Sequence, residues 1–148
     1  MSVLRRAEMV CKRMQYRKKG SRGAKPKRKN GSPEHDIQVF IVDHLEAMEV
    51  PPLYSATVGG VRVAMHTALK MKQAGYKKGI PDLLIFEPRK GYAGLAVEVK
   101  TPTGRASEHQ KEWQKKLRDR GWKAEICKGL NACITEIDNY FSDDSDVL

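Results

Sequence analysis

Two β-rich runs in the middle of the chain carry charged residues where a strand begins or ends. Turn residues bound both runs, residues 80–86 (IPDLLIF) and residues 94–100 (GLAVEVK). Because strand side chains alternate between two faces, Glu98 and Lys100 point the same way and leave the apolar residues free to be buried on the other face. With Asp82 at the start of the neighbouring strand, this layout is typical of a metal-dependent phosphodiesterase site.

The length and the cysteine content limit the class of protein. A chain of 148 residues and 16.7 kDa fits one domain. Its three cysteines (Cys11, Cys127 and Cys133) are odd in number and lack C-x-x-C spacing, which disfavours a disulfide framework and a zinc site and favours a reducing compartment. No run approaches the roughly 18 apolar residues of a membrane span, and there is no secretory h-region, so we expect a soluble intracellular protein without a membrane partner.

The formal net charge of +10 is concentrated at the N-terminus. Residues 1–31 hold twelve Lys and Arg against Glu8 alone, and residues 142–148 form an acidic tail. We predict that residues 1–31 are a flexible arm that becomes ordered on a polyanion. A solubilising tail, a nuclear address at residues 26–29 and an organelle presequence are the alternatives. The candidate nucleic-acid contacts of the arm are Lys25, Lys27, Arg28 and Lys29.

The order of elements between the tails can be predicted from periodicity and caps. Ser32 and Pro33 begin a helix that Pro51 stops, and Ser107 with Gln110 forms a capping box. The predicted helices span residues 33–49, 63–74, 107–120 and 130–141, and further strands span residues 53–58 and 122–127. This αβαββαβα order predicts an α/β fold with a mixed sheet flanked by helices. Met48, Met65 and Met71 are expected to fill the core.

The proposed chemistry explains why these residue types stand together. Phosphodiester hydrolysis needs a hydroxide, a counter-charge for the transition state and stabilisation of the leaving oxygen, all of which Mg²⁺ can supply. Asp82 and Glu98 are the candidate metal ligands, and the Val99 carbonyl could add a neutral one. Lys100 would orient or deprotonate the attacking water.

Polar residues on two predicted helices are further candidates. Glu34 and Gln38 fall on the core-facing stripe of the first helix, where Glu34 is either a metal ligand or an acid favoured by the helix dipole. A capping box alone would explain Gln110. No phosphate-binding loop of the G-x-x-x-x-G-K-[ST] type occurs, which disfavours a nucleotide cofactor. The candidate phosphate contacts near the site are Lys77, Lys78 and Arg105.

The ordered motif set resembles the VRR-NUC family of the PD-(D/E)XK nuclease superfamily. It consists of Glu34-x-x-x-Gln38, Lys72-x-x-Gly75, residues 79–83, residues 98–101, Ser107-x-x-Gln110-x-x-Trp113 and Gly121. The resemblance covers residues 32–141. Within the family, the chain is similar to compact stand-alone phage and bacterial members. It implies a restriction-endonuclease-like sheet, Mg²⁺ or Mn²⁺ dependence and cleavage of structured DNA. It also implies that Glu34, Asp82 and Glu98 hold the metal, that Lys100 serves the water, and that Gln38 and Gln110 support the site.

Two classes of function remain open on the sequence. The first is a structure-selective DNA endonuclease. The resemblance to small members of this family implies a homodimer that resolves four-way junctions, and cleavage of flaps or other branched DNA is the alternative substrate preference. The second is a non-catalytic nucleic-acid-binding protein that uses the basic arm and keeps a vestigial site. The expected location is the cytoplasm of a bacterial or phage-infected cell, or the nucleus if the source is eukaryotic.

Overall fold

The protein, seen in a computed structural model that describes residues 32–58 and 63–142, folds around one mixed sheet. Its helices are α1 (Pro33–Glu46), α2 (Met65–Gln73), α3 (Glu108–Arg118) and α4 (Leu130–Phe141), and its strands are β1 (Tyr54–Ala56), β2 (Leu83–Ile85), β3 (Leu95–Lys100) and β4 (Lys123–Lys128). The predicted αβαββαβα order is therefore confirmed. The basic arm and residues 143–148 of the acidic tail lie outside the described residues.

The topology of the sheet brings the predicted site residues to one end. The strand order is β1-β2-β3-β4, with β1–β2 and β2–β3 antiparallel and β3–β4 parallel. Since β2 runs against β3, the start of β2 lies beside the end of β3, and Leu83 pairs with Val97. We call this the Asp82 end of the sheet. Helix α3 returns the chain from the end of β3 to the start of β4, where Lys123 pairs with Leu95.

One face of the sheet packs against α1 and α4 to form the core. The buried core cluster comprises Ile41 and Leu45 of α1, Cys133, Ile137 and Tyr140 of α4, and Leu83, Ile85, Leu95, Val97, Val99 and Cys127 of the sheet. Strand β3 is buried along its whole length, because α3 also packs on it. Glu98 and Lys100 are only 1% and 6% exposed.

The N-terminal cap of α1 and the capping box of α3 are confirmed. The Ser32 hydroxyl accepts a hydrogen bond from the His35 N–H at 3.2 Å, and Ser107 and Gln110 make both reciprocal bonds of the box. The predicted strand over residues 80–86 is shorter, because Pro81 has no N–H to donate to a ladder. Among the described residues, no helix is long and apolar enough to cross a membrane.

The expectation that Met65 fills the core is wrong. Met65 is 89% exposed, and α2 contains no buried residue. Helical periodicity predicted the element but not its surroundings, because α2 lies in the long connection between β1 and β2 rather than on the sheet. An exposed Met and an exposed Leu69 are left on this helix.

Candidate active site

Asp82 stands immediately before β2 and holds the neighbouring strand through its side chain. Its Oδ2 accepts a hydrogen bond from the Val99 N–H at 2.9 Å, beyond the last pair of the β2–β3 ladder. Thr57 fixes the backbone from the other side, where its N–H donates to the Asp82 carbonyl at 2.9 Å and its hydroxyl to the Pro81 carbonyl at 2.8 Å. The carboxylate is therefore rigidly placed beside β3.

Glu98 is a buried carboxylate with one satisfied oxygen and one unsatisfied oxygen. Its Oε1 accepts hydrogen bonds from Lys100 Nζ at 2.8 Å and from the Gln110 amide. Its Oε2 is buried and has no hydrogen-bond partner among the described residues. A buried carboxylate oxygen without a partner is costly, so an ion or a water bound at this atom would be stabilising.

Lys100 joins two acidic residues that come from different elements. Its Nζ lies 2.8 Å from Glu98 Oε1 and 3.5 Å from Oε1 of Glu34, in the first turn of α1. Burial lowers the pKa of Lys100, but the hydrogen bond that it donates to Glu98 and the negative charges of Glu98, Glu34 and Asp82 outweigh it and leave the pKa raised. The side chain is therefore held as an ammonium ion.

Two glutamines complete the cluster from the flanking helices. Gln110 has a double role, since its Oε1 accepts from the Ser107 N–H at 2.8 Å while its Nε2 donates to Glu98. The capping box orients the amide so that its donor faces the carboxylate. Gln38 donates from Nε2 to the Asp82 carbonyl at 3.4 Å, a long contact that ties α1 to the start of β2.

The two buried carboxyl groups perturb each other. Burial raises the pKa of Glu98 to about 7, and the negative charge of Asp82 adds to the effect, although Lys100 opposes it. Burial also raises the pKa of Asp82, while the Val99 N–H and Lys100 oppose that shift. The negative charge of Asp82 is therefore one of the reasons that Glu98 takes up a proton near neutral pH.

This donor set fits a divalent cation better than it fits an empty site. Two neighbouring carboxylates in a desolvated position, one with an unpaired oxygen, supply the hard oxygen ligands that Mg²⁺ and Mn²⁺ take. Among residues 32–58 and 63–142, no three His, Cys, Asp or Glu side chains are grouped so that they could hold a metal ion by themselves, and Glu34 contacts Lys100. Metal ligation by Glu34 and by the Val99 carbonyl stays a prediction.

The structure brings together most, but not all, of the predicted site residues. Glu34, Gln38, Asp82, Glu98, Val99, Lys100 and Gln110 are connected by the contacts above. The phosphate-contact candidates Lys77, Lys78 and Arg105 are exposed. Lys25, Lys27, Arg28 and Lys29 lie outside the described residues.

Three supporting residues were not predicted as such from the sequence. Trp113 donates from its indole N–H to the Lys78 carbonyl at 3.1 Å. Gly79 approaches α3 so closely that a Cβ there would lie 2.6 Å from the His109 carbonyl carbon. Gln114 is buried one turn beyond Gln110, and neither atom of its amide group has a hydrogen-bond partner among the described residues. For Trp113, the available signal in the sequence was its spacing from Gln110 in the motif set.

Comparisons with known proteins agree with this geometry. The VRR-NUC domain profile matches residues 34–131. A Fanconi-associated nuclease 1 homolog of Arabidopsis thaliana is 40% identical over 77 residues, which is 49% of this chain and 9% of that protein. Its counterpart in Oryza sativa subsp. japonica is 38% identical over 76 residues, or 47% of this chain and 8% of that protein. The chain thus spans less than a tenth of these curated relatives.

Solved structures support the fold. A VRR_NUC domain protein is 27% identical, with a TM-score of 0.65 over 76% of this chain and 91% of that chain. A second structure, a VRR_NUC domain, is 22% identical, with a TM-score of 0.52 over 73% of this chain and 97% of that chain, and shows the fold alone. The predicted restriction-endonuclease-like fold is confirmed. Because the family profile extends from Glu34 through Gln110 and on to α4, the chain belongs to the VRR-NUC nuclease-domain family.

Proposed function

We propose that this VRR-NUC domain is a divalent-metal-dependent DNA endonuclease that resolves four-way junctions as a homodimer. A nuclease domain implies DNA as its partner, and the metal, the branched substrate and the dimer are the finer parts of the proposal. The observation that carries it is the unpaired, buried Oε2 of Glu98 beside Asp82 and Lys100. Among the described residues nothing satisfies that atom, and a bound cation would do so.

Asp82 and Glu98 would hold Mg²⁺ or Mn²⁺, with the Val99 carbonyl and Glu34 as further ligands. When bound, the metal supplies an acidified water and charge stabilisation at the phosphate. The raised pKa of Glu98, about 7, means that a proton neutralises the site when no cation does. Metal binding then displaces that proton, so affinity should rise with pH up to this value.

Lys100 contributes a positive charge at a fixed position. The contacts with Glu98 and Glu34 hold the ammonium group at the Asp82 end of the sheet. There it donates hydrogen bonds to the attacking water and offsets the charge that grows on the phosphate in the transition state. Gln110 keeps Glu98 oriented, and Gln38 keeps the Asp82 backbone in place. These two glutamines are positioning residues.

The preference for a four-way junction rests on the resemblance to compact VRR-NUC members and on symmetry. A junction has approximate two-fold character, so paired incisions need two active sites in a symmetric dimer. The basic residues 1–31 would add affinity for any DNA through counterion release. The protein would work wherever such DNA occurs, in the cytoplasm of a bacterial or phage-infected cell or in a nucleus.

Cleavage of labelled four-way junction, flap and linear duplex DNA in Mg²⁺ tests the proposal. We expect paired, symmetric nicks in the junction and loss of cleavage in Lys100→Ala with DNA binding retained. Lys116→Ala, an exposed lysine on α3, is the matched control and should cleave normally. Binding without cleavage by the wild type would instead favour a non-catalytic DNA-binding protein, and equal cleavage by Lys100→Ala would contradict the assigned site.

A further inference from the structure

Helix α2 presents an apolar face that nothing in the described chain covers. It has no buried residue, in contrast to α1, α3 and α4. Its half-buried residues, Thr67 and Met71, mark the side that faces the rest of the protein. Met65 and Leu69, one helical turn apart, lie on the opposite side and are 89% and 57% exposed.

The same helix and its C-terminal connection are uniformly cationic. No Asp or Glu occurs between Glu49 and Asp82. At 100° per residue, Lys72 falls on the face of Met65 and Leu69, so a positive charge borders the apolar pair. The exposed lysines of this stretch are Lys70, Lys72, Lys77 and Lys78.

Both ends of the β1–β2 connection, which contains α2, are fixed by hydrogen bonds or close packing near the Asp82 end of the sheet. At its start, Thr57 donates hydrogen bonds to the carbonyls of Pro81 and Asp82. At its other end, Trp113 holds the Lys78 carbonyl, and Gly79 packs against the start of α3. Thr57 is therefore anchored directly at the candidate catalytic aspartate, and Lys78 and Gly79 are anchored at the start of α3.

We infer that α2 is a DNA-contacting helix that recognises the branch of a branched DNA. This inference rests on the proposed DNA nuclease function and adds a recognition element to it. Its lysines would contact phosphates on either side of the cut site, and Met65 with Leu69 would pack on an unstacked base pair at the branch. Apolar side chains presented to DNA stabilise disrupted base steps, which a continuous duplex does not offer without the cost of unstacking.

Charge favours DNA over a second copy of this chain as the occupant of the face. In a two-fold contact through α2, the lysines of one copy would approach the same lysines of the other, and no acidic residue in the segment would offset them. A polyanion instead gains from each of these cations.

Equilibrium binding of labelled four-way junction and linear duplex, measured by anisotropy in EDTA so that cleavage does not interfere, tests the inference. One variant combines Met65→Gln with Leu69→Gln, and a second combines Lys70→Gln with Lys72→Gln. The charge-matched control combines Lys115→Gln with Lys116→Gln, exposed lysines near the end of α3, which lies away from the Asp82 end of the sheet. Because all these side chains are exposed, the fold should be retained.

We expect the Met65 and Leu69 variant to bind the junction about tenfold more weakly, a change of about 1.4 kcal/mol, and the duplex within about twofold of wild type. The Lys70 and Lys72 variant should lose affinity for both DNAs, with the salt slope reduced by up to about 2. Wild-type binding by both variants, or an equal loss on junction and duplex from the apolar variant, would overturn the inference. So would a change of oligomeric state in sedimentation, which would assign the face to a second copy. If the wild type cleaves no DNA but shows these binding differences, the proposed function fails and the inference stands.

Discussion

Replacing Glu98 by glutamine should make the metal-free protein more stable at pH 8 and remove its response to Mg²⁺. The substitution keeps the shape of the side chain and an oxygen that can accept from Lys100 and Gln110. It removes a charge that is buried with one unpaired oxygen. The variant should gain stability in the absence of metal and lose the stabilisation that Mg²⁺ gives the wild type, so the two effects can be measured separately in one protein.

The size of each effect follows from the site. The pKa of Glu98 lies at about 7 in the fold, against an ordinary value of 4.5. Keeping the group ionised at pH 8 therefore costs on the order of 3 kcal/mol of stability, which the amide avoids. Binding of Mg²⁺ at 100 times its Kd would return about 2.7 kcal/mol to the wild type. For a domain of this size, that gain raises Tm by roughly 10 °C.

Thermal unfolding at pH 8 in EDTA and in Mg²⁺ measures both effects. Glu112→Gln is the matched control, because Glu112 is an exposed carboxylate on α3 that lies 3.7 Å from Lys116. It should change neither the metal-free Tm nor the shift with Mg²⁺. The reasoning is refuted if Mg²⁺ leaves the wild-type Tm unchanged, or if Glu98→Gln is less stable than wild type in EDTA, since Glu98 would then be a structural ion-pair partner.

Three other outcomes follow from the same geometry. Without metal, the free energy of unfolding should fall as pH rises from about 4.5 to about 7. The reason is that the raised pKa of Glu98 makes the folded state bind the proton more tightly than the unfolded chain does. Chemical denaturation across this pH range should show a flatter dependence on pH in Glu98→Gln than in the wild type. Gln110→Glu should keep the capping box but place a second carboxylate against Glu98. The cleavage rate should therefore fall by at least about tenfold, while Tm in Mg²⁺-free buffer at pH 5 stays close to the wild-type value. An unchanged cleavage rate would mean that Gln110 serves only as a helix cap. Gly79→Ala should lower the free energy of unfolding, measured with denaturant, by about 1 to 3 kcal/mol more than Gly75→Ala does. Both glycines have a positive φ, but only at Gly79 would a Cβ meet the His109 backbone. Equal losses in the two variants would contradict the close approach.

The sequence predicted the elements well because their signals are local. Ser32 with Pro33, and Ser107 with Gln110, act within one helical turn, so the starts of α1 and α3 could be read from neighbouring residues. The alternation in residues 94–100 likewise depends only on strand geometry. The length of β2 was overestimated, since its first ladder position depends on Pro81 and on a side chain that bonds to another strand.

The candidate site was predictable as a set of residues but not as a set of contacts. The acid, acid and lysine pattern identified Asp82, Glu98 and Lys100. The stripe of the first helix added Glu34 and Gln38, and the capping box singled out Gln110. The Trp113 bond to Lys78 and the contact of Gly79 with His109 join residues that are 30 or more positions apart. Periodicity carries no information on such distant pairs. For the same reason, Met65 was assigned to the core although its helix contains no buried residue.

The hydrogen bond from the Val99 N–H to Asp82 has a consequence for how this site would decay in a lineage that lost its activity. Asp82 supplies an acceptor that the end of the β3 strand needs, so selection for folding alone would preserve an aspartate or an asparagine there. Glu98 bonds side chains only, because its Oε1 accepts from Lys100 and Gln110, and a glutamine at this position would keep that acceptor without the buried negative charge. Retention of a glutamate at position 98 is therefore the better sign of a working enzyme than retention of the aspartate at position 82.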